Sequence, residues 1–554
     1  LLIHLLTGCG LFILSRLLLQ SYRQYRDPQL SPAIVAWLPA VITGLWLIHP
    51  LNLTAVLYIV QRMTSLSALF TVLGLCLYVS GRRRMLASAH GLSWILAGLL
   101  LCGGLATFSK ENGALLPLFM LVIEATLFRF RTAAGTTDRT ISAFFILTVA
   151  LPAVLVTVYL AINPGTFLNY TVRDFTLAER LLTEGRVLVF YLKMILMPSI
   201  QELGLYHDDF SISRSLLDPP ATLYSLLFLA GLLLLGLLLL GKRPLVSLGI
   251  LWFFAGHALE STIFPLEIAH EHRNYLADYG ILLALSSALA QAPLRRLAPV
   301  VRTAMPLLFL LLFSYTTWLR SEQWSDNINH AIYEARHHPQ SHRAVFAAGR
   351  IYARLALQGQ PDTEARAYEN LASASRLDPA GILPEVTMVK LSFLLGRPVD
   401  LAWFDTIIHK LSSYPETPAD IISLQELADC QGGTCKMPEE IMEKIFRAAL
   451  QEENPQTLVV YGYYSINKRG NFNKGLELFT RVVELAPQEP QYWKNLIKLL
   501  TVMGRFDAAE QRLQGLMATR PNGMGETHFQ VIQDEIDTAR RLQASQSATT
   551  TGSS

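Results

Sequence analysis

Residues whose side chains could do chemistry collect in four polar segments that separate long apolar stretches of the N-terminal half. Those on which the interpretation depends are His49, Gln61, Arg62, Lys110, Glu111, Glu179, Arg180, His207, Asp208, Asp209, His270, Glu271, His272 and Arg273. Arginine and lysine can bind a phosphate, whereas carboxylates and imidazoles can accept or donate a proton. The mixture predicts a site that binds a phosphate-bearing substrate while a carboxylate handles a proton.

A simpler explanation exists for the single cations. Arg62 or Lys110 alone could extend to lipid headgroups, as long basic side chains do at a membrane surface. That does not account for the carboxylates and histidines beside them, since ionised groups near membrane depth are costly and usually functional. His270 and His272 are two residues apart and lack an evident third ligand, so no metal site is predicted there. The chain also has no phosphate-cradling glycine loop, dinucleotide fingerprint or Gly-x-Ser-x-Gly motif.

The elements that position these residues are predicted to be membrane-spanning helices, each of roughly twenty apolar residues or somewhat fewer. The ten predicted spans are 1–20, 33–49, 63–80, 92–109, 114–128, 141–163, 221–241, 245–262, 276–293 and 304–319. A further segment, 181–198, is apolar but contains Glu184, Arg186 and Lys193. We expect it to lie along the membrane interface or to re-enter.

Basic residues in short connections predict the orientation of the spans. They are Arg82, Arg83, Arg84, Arg129, Arg131, Arg139, Lys242, Arg243, Arg295, Arg296 and Arg302. If all of them are cytoplasmic, the spans alternate consistently, provided that 181–198 does not cross. The four polar segments, about 49–62, 110–113, 164–220 and 262–275, and everything after residue 320 are then predicted to be extracytoplasmic.

Composition changes near residue 320 and divides the chain. The 554 residues are 51% hydrophobic and 16% charged, but apolar residues dominate before 320 and polar ones after it. We predict a membrane domain over 1–320, degenerate helical hairpins over 321–450, two helical repeats over 451–540 and a disordered tail over 541–554. Because Leu1 already lies in an apolar run, the chain is expected to lack its true start. A net charge of +3 without a basic cluster does not indicate a nucleic-acid partner.

A 34-residue spacing near the C-terminus predicts the helical repeats. Equivalent residues recur as Gly470 and Gly504, Phe472 and Phe506, Asn473 and Asp507, and Pro487 and Pro521. Trp493, Leu496 and Ala509 occupy the positions that tetratricopeptide (TPR) repeats give to Trp, Leu and Ala. Such an array is either a rigid cap or a concave groove that holds a polypeptide. The fold class is therefore predicted to be all-α: a polytopic helical bundle followed by a TPR-type solenoid.

Two of the five cysteines differ from the others. Cys9, Cys76 and Cys102 lie in apolar stretches and are expected to be small core residues. Cys430 and Cys435 flank Gln-Gly-Gly-Thr in a polar segment, so we predict a structural disulfide between them. A disulfide requires an oxidising compartment, which agrees with the predicted orientation.

Several stretches of the first 335 residues resemble the GT-C-type membrane glycosyltransferases that are fused to TPR repeats. The animal members of that class are the transmembrane-and-TPR protein O-mannosyltransferases. The matching stretches, in the family's order, are the helix with His4, HPLNLTAVLYIVQRMTSLSALF (49–70), SKENGALLP (109–117), LAERLLTEGRVLVFYLKMILMP (177–198), FPLEIAHEHRNYLADYG (264–280) and WSDNINHAIYEA (324–335).

The resemblance implies a polyprenyl-phosphate sugar donor and transfer to a protein or glycan acceptor at the outer face of a bacterial inner membrane. It assigns Arg62, Lys110 and Arg273 to the donor phosphate, and alanine at Lys110 or Arg273 is expected to abolish transfer without loss of folding. It assigns the pocket lining to His49, Gln61, Glu111, His270, Glu271 and His272. The family's catalytic carboxylate would precede Leu1. Many members use a divalent metal ion, but no metal ligand is assigned here.

Two other functions fit parts of the pattern. O-antigen ligases, polymerases and O-oligosaccharyltransferases also place His and Arg in periplasmic loops, but they usually have one long late loop. Here the late loop, 263–275, is short. The second alternative is a membrane-anchored scaffold without activity, whose repeats recruit a partner. It predicts that the repeat groove matters and that Arg62, Lys110 and Arg273 do not.

Overall fold

The computed structural model describes residues 1–171, 173–291, 299–431, 433–451, 453–519 and 525–551. Over these residues the chain is helical, with one isolated β-bridge between Arg131 and Thr137. It forms two compact units, Leu1–Ala347 and Ala348–Ser554. The predicted all-α fold class is confirmed. The first unit also includes residues 321–347, which composition alone assigned to the soluble region.

The first unit is a bundle of apolar helices with short polar connections. Its helices are α1 (Leu2–Tyr25), α2 (Pro32–Leu47), α3 (Leu53–Leu57), α4 (Arg62–Leu86), α5 (Leu92–Ala97), α6 (Gly103–Ser109), α7 (Leu116–Ile123), α8 (Arg139–Phe145), α9 (Leu151–Ile162), α10 (Pro164–Phe167), α11 (Leu177–Leu196), α12 (Ala221–Leu238), α13 (Pro244–His257), α14 (Ala277–Gln291), α15 (Pro299–Gln323) and α16 (Asn327–His337). Short π-helical turns join α5 to α6 and α8 to α9, so each pair reads as one longer helix.

Within the described residues, six helices are long and apolar enough to cross a bilayer. They are Leu2–Tyr25, Ile59–Leu86, Leu92–Ser109, Glu111–Phe128, Arg139–Ile162 and Ala221–Leu238. A bent pair, Pro32–Leu47 with Pro50–Leu57, turns by 52° and would make a seventh span. All seven coincide with predicted spans. The predicted span 245–262 is a shorter apolar helix, α13, and 276–293 and 304–319 fall on α14 and α15, which are not among the seven.

Two of the long apolar helices have little protein packed around them. Only 6% of the most apolar window of Arg139–Ile162 is buried, and only 17% of that of Ala221–Leu238. Their exposed residues include Ile146, Leu155 and Leu238, each more than half accessible. Apolar surface of this extent is unfavourable in water and favourable in an apolar environment, such as the interior of a lipid bilayer.

The connections predicted to share a side of the membrane contact one another at one end of the bundle. The guanidinium of Arg26 donates to the Leu240 carbonyl at 3.0 Å, and that of Arg83 to Gln20 at 2.9 Å. Arg82 is fully buried there and binds Glu124 through two 2.9 Å hydrogen bonds, with Asp138 at 3.0 Å. Arg295 and Arg296 lie outside the described residues, as does the side chain of Arg302. The four polar segments occupy the opposite end.

The second unit consists of paired antiparallel helices. They are α18 (Thr363–Leu377), α19 (Leu383–Leu395), α20 (Ala402–Ser413), α21 (Pro418–Gln431), α22 (Glu439–Ala449), α23 (Pro455–Asn467), α24 (Phe472–Leu485), α25 (Pro490–Val502), α26 (Phe506–Thr519) and α27 (Glu526–Thr551), with α17 (His342–Leu357) containing the boundary between the units.

The repeat pairs α23–α24 and α25–α26 pack closely where small residues were predicted. A Cβ added at Gly475 would lie 2.3 Å from the Ile466 side chain, and Ala509 is fully buried. Trp493 is buried and donates to the Pro487 carbonyl at 2.9 Å. Pro521 lies outside the described residues.

The second unit also contains a disulfide, and its last helix extends into the predicted tail. Cys430 and Cys435 are joined by a disulfide at the end of α21, with their Cα atoms 5.0 Å apart. Where a disordered tail was predicted from residue 541, α27 continues to Thr551. Residues 552–554 lie outside the described part of the chain.

Candidate functional site

Lys110 is the centre of a hydrogen-bonded chain that links the first two polar segments to the fourth. Its ammonium lies 2.9 Å from a Glu260 oxygen and donates to Thr64 Oγ1 at 3.2 Å. Thr64 in turn donates to Gln61 at 2.9 Å, and Asn112 donates to the other Glu260 oxygen at 2.8 Å. The structure therefore brings the predicted residues Gln61 and Lys110 together, around a carboxylate that the sequence did not single out.

A glycine allows this arrangement. Lys110 ends α6 in an extended conformation, and the chain then turns back as a short 3-10 helix, Glu111–Leu115. A Cβ at Gly113 would lie 2.2 Å from the Ala106 backbone, closer than any side chain allows. The turn can therefore press against α6 only because residue 113 lacks a side chain.

Arg180 fixes the backbone of the fourth segment. It lies on α11, is fully buried, and donates to the carbonyls of Thr262 at 2.8 Å, Leu266 at 2.5 Å and Glu260 at 2.7 Å. It also pairs with Glu184 at 2.9 Å. A buried arginine is most stable when its donors are used in this way. The sequence placed Arg180 in a polar segment but assigned it no role.

Arg273, which is predicted to bind the donor phosphate, makes most of its hydrogen bonds within the protein. Its guanidinium donates to the carbonyls of Ile268 at 2.9 Å and Glu267 at 2.7 Å, and it lies 3.8 Å from Glu184. The side chain is 3% exposed, so Arg273 is largely closed to an outside ligand. Burial raises the pKa of Glu184 to about 7, although Arg273 and Arg180 oppose the shift.

His49 and Glu271, both predicted to line the pocket, are buried in fixed contacts. Nε2 of His49 lies 2.9 Å from the Ile195 carbonyl, and its Nδ1 accepts from the Leu51 amide at 3.3 Å. One Glu271 oxygen accepts from the Gly204 amide at 2.9 Å, and the other is paired with Arg320. Burial raises the pKa of Glu271, but Arg320 and His207 more than offset this and hold it below its usual value.

His270 and His272 have stacked rings with centroids 5.0 Å apart, but they face different partners. His270 is hydrogen-bonded to Glu267, and burial lowers its pKa despite this bond. His272 lines a small cavity of about 30 Å³. Lys110 and Arg273 line the same cavity, so three predicted residues meet there.

Arg62 and Glu111 are the most accessible of the predicted site residues, whereas Gln61, His270 and His272 are half-buried. Both side chains are exposed, and Arg62 is the first residue of α4. The surface around them is apolar and exposed: Leu57, Tyr58, Ile59, Val60, Met63 and Phe108, which we call the apolar lip. Phe108 is 94% exposed. A cation at the start of a 25-residue helix, bordered by apolar surface, matches a ligand with an anionic head and a hydrocarbon tail.

A cluster that the sequence did not predict lies at the third polar segment. His338 Nδ1 is 2.9 Å from an Asp209 oxygen, and ligand atoms of His207, Asp209 and His338 lie within 4.8 Å of one another. Burial lowers the pKa of His338, but the hydrogen bond and charge of Asp209 offset this and raise it. The only sequence signal was His207-Asp208-Asp209, because His338 is more than a hundred residues away.

Comparison with known proteins identifies the repeats and little else. Residues 468–525 match the tetratricopeptide repeat family model. A search of curated proteins returns no match. Among solved structures, the crystal structure of the yeast Tom70 is 13% identical, with 91% of this chain and 92% of that chain covered and a TM-score of 0.27. That score is too low to indicate a shared fold or function. The second unit therefore contains tetratricopeptide repeats, as predicted from the 34-residue spacing.

Proposed function

We propose that the chain is a membrane glycosyltransferase that takes a sugar from a polyprenyl-phosphate donor and transfers it to a protein or glycan acceptor. The observation that carries the proposal is the exposed Arg62 at the start of α4, bordered by the apolar lip. The lip would contact the hydrocarbon chain and Arg62 the phosphate. Lys110, whose ammonium donates to Thr64 in the first turn of the same helix at 3.2 Å, would be the second cation of the site, although Glu260 pairs with it at 2.9 Å.

The buried ion pairs support this assignment through their positions. Lys110–Glu260 and Glu271–Arg320 both lie at the polar end of the first unit. Taking ionised groups out of water costs several kcal/mol each, so such networks are retained where geometry must be specific. Here they hold the segments that carry Arg62, Glu111 and His272 in a defined arrangement.

The reaction is a displacement at the anomeric carbon of the donor sugar. The acceptor hydroxyl oxygen forms a bond to that carbon while the bond to the lipid phosphate oxygen breaks, and a carboxylate takes the hydroxyl proton. Arg62 and Lys110 would stabilise the phosphate as it leaves with the electron pair. No carboxylate of this sequence is assigned as the base. The acceptor would be a protein or a glycan, and the TPR groove would hold a protein acceptor. This end of the bundle would face the periplasm of a bacterial inner membrane.

The test uses the purified chain in detergent with undecaprenyl phosphate as the probe and the uncharged alcohol undecaprenol as its control. We expect wild type to prefer the phosphate, and Arg62→Ala to lose about tenfold or more of that affinity, because a hydrogen bond to a charged group contributes about 1.5–3 kcal/mol. Arg62→Lys should retain part of it. Arg139→Ala, an exposed arginine at the other end of the bundle, is the matched control. Equal binding of phosphate and alcohol would refute the proposal.

The non-enzymatic scaffold is a second candidate, favoured by the match of residues 468–525 to tetratricopeptide repeats. Mass spectrometry of periplasmic proteins from cells with wild type or Arg62→Ala separates the two. A glycosyltransferase gives sugar-modified proteins that disappear with the variant. A scaffold gives the same proteins unmodified in both strains, and partner recruitment that Arg62→Ala leaves intact.

A further inference from the structure

We propose that His207, Asp209 and His338 form a binding site for one divalent transition-metal ion, for which Zn²⁺ is the best fit. All three residues belong to the first unit: His207 and Asp209 lie in the connection between α11 and α12, and His338 follows α16. One ligand atom from each lies within 4.8 Å of the others. This site goes beyond the proposed glycosyltransferase function and does not depend on it.

The imidazoles point to a ligand because their free nitrogens are buried. The side chains of His207 and His338 are 4% and 10% exposed. Among the described residues, Nε2 of either ring has no hydrogen-bond partner. A buried polar atom without a partner costs about 1–3 kcal/mol, and a metal ion is one of the few groups that satisfies two imidazole nitrogens at once.

The charges around the cluster favour a cation. His207 Nε2 is 3.7 Å from a Glu271 oxygen. A Cβ built on Gly204 would meet His338 Nε2 at 2.8 Å and a Glu334 oxygen at 3.0 Å, so a second carboxylate also faces the cluster. With Asp209 there are three carboxylates, opposed by Arg320, which is paired with Glu271. The space beside Gly204 remains open only because that residue has no side chain.

The donor set indicates the kind of ion. Two imidazoles and one carboxylate suit Zn²⁺ and similar ions, whereas Mg²⁺ and Ca²⁺ prefer oxygen ligands alone. Zinc–ligand bonds of about 2.0–2.1 Å place tetrahedral ligands roughly 3.4 Å apart, so the three side chains need to move by on the order of 1 Å. A fourth position stays open for water or for the Glu334 carboxylate.

The surrounding hydrogen bonds hold the two chain segments together. Asp208 accepts from the Ser341 hydroxyl at 2.6 Å and from the Arg343 amide at 3.4 Å. Outer contacts of this kind are what orient metal ligands in known sites. A metal ion bound by His207, Asp209 and His338 would cross-link the connection between α11 and α12 to the segment that follows α16. It would thereby fix the connection that supplies the Gly204 amide to Glu271.

An explanation without metal is that His338 and Asp209 form only an ion pair, since their 2.9 Å contact is a normal hydrogen bond. That leaves His207 unexplained, because its buried Nε2 has no hydrogen bond among the described residues and lies 3.7 Å from a Glu271 oxygen. The two explanations differ in what removal of His207 does to metal binding.

The test uses the full chain in detergent, stripped with a chelator and then dialysed against Zn²⁺ or Co²⁺. We expect about one ion per chain by elemental mass spectrometry, a visible Co²⁺ absorption band, and a rise in Tm on adding Zn²⁺. His207→Gln and His338→Gln should each lower affinity at least tenfold and remove the band. His337→Gln, which changes the neighbouring histidine, should retain both.

Several results would overturn the metal site. One is a metal content of wild type that does not exceed the buffer level. Another is an equal metal content in wild type and in both glutamine variants. Gel filtration of each variant shows whether it is folded. If a glutamine variant is misfolded, the Zn²⁺-dependent change in Tm and the Co²⁺ band of wild type decide alone, and their absence contradicts the site. Metal content is measured without the sugar donor or the acceptor. A failure of the metal site is therefore distinguishable from a failure of the proposed sugar transfer.

Discussion

The Lys110 ammonium lies 2.9 Å from a Glu260 oxygen, and both side chains are almost fully buried. Burial raises the pKa of Glu260, but Lys110 and Arg273 lower it more, so the carboxylate stays ionised. Lys110 therefore has a structural task besides any contact with a phosphate. This changes the expectation drawn from sequence that alanine at Lys110 or Arg273 would abolish transfer while folding stayed intact. Arg62 is the cleaner probe because it is exposed.

We predict that Lys110→Met destabilises the protein by about 3–5 kcal/mol, because it leaves the buried Glu260 charge without its partner. The double variant Lys110→Met, Glu260→Gln should recover part of the loss, since no uncompensated charge remains. The apparent Tm in detergent, followed by intrinsic fluorescence, measures both. Lys193→Met is the control: its pair with Glu202 is 55% and 36% exposed, so its removal should cost at most about 1 kcal/mol. Equal Tm changes for the two single variants would contradict this account.

At the scale of elements, the hairpin of α13 and α14 positions the fourth polar segment. The two helices cross closely where small residues meet. A Cβ at Gly249 would lie 2.2 Å from the Gly280 carbonyl, and one at Gly256 would lie 2.8 Å from the Ala277 side chain. Small residues at such crossings let backbones approach, which is a common basis of packing between apolar helices. The segment 258–276 that connects the helices carries Glu260, Glu271 and Arg273.

Gly249→Val is therefore expected to separate α13 from α14 and displace that segment. We predict a loss of about 1–3 kcal/mol of stability, as overpacking usually causes, and weaker binding of undecaprenyl phosphate although the substituted residue is remote from Arg62. Gly231→Val in α12 is the matched control, because among the described residues a Cβ there would meet nothing within 4 Å beyond its own stretch of helix. Tm and binding of the same probe measure both effects. A Gly249 variant that behaves like the Gly231 variant would show that the close crossing does not matter.

At the scale of the whole molecule, the two ends of the first unit gather different connections. The basic connections contact one another at one end of the first unit, and the polar segments meet at the other. The alternation predicted from charge requires this grouping, and the side of the membrane that each end faces stays a prediction. We propose that the polar end and the repeats are periplasmic. The Cys430–Cys435 disulfide of the second unit fits this location, because a disulfide needs an oxidising compartment.

We predict that Cys430 and Cys435 are oxidised in growing cells. Cells are treated with an alkylating reagent before lysis, and a second reagent of different mass is added after reduction. Both cysteines should carry the second label, because the disulfide protects them from the first. Cys76 and Cys102, which are free, provide the comparison. Complete labelling of Cys430 and Cys435 by the first reagent would place the second unit in the cytosol and would contradict the proposed orientation.

The sequence by itself determined the helical elements and the grouping of polar residues. Apolar runs of helix length, basic connections and a 34-residue spacing are local patterns, because they depend on the periodicity and solvation of neighbouring residues. They located six of the long helices and the bent pair, the TPR repeats, and the segments that contain Lys110, His272 and Arg273. The predicted span 245–262 was less accurate: α13 ends at His257, and hydropathy does not show where a helix ends.

Only the tertiary structure decided which polar residues are available to a ligand. Arg62 and Arg273 have the same chemistry in the sequence, yet one is exposed and the other donates to two backbone carbonyls. Glu260 and His338 acquire their partners, Lys110 and Asp209, from positions more than a hundred residues distant. Such pairs form because burying a charge is costly unless an opposite charge is close by. That proximity is a property of the folded chain, and no local pattern in the sequence encodes it.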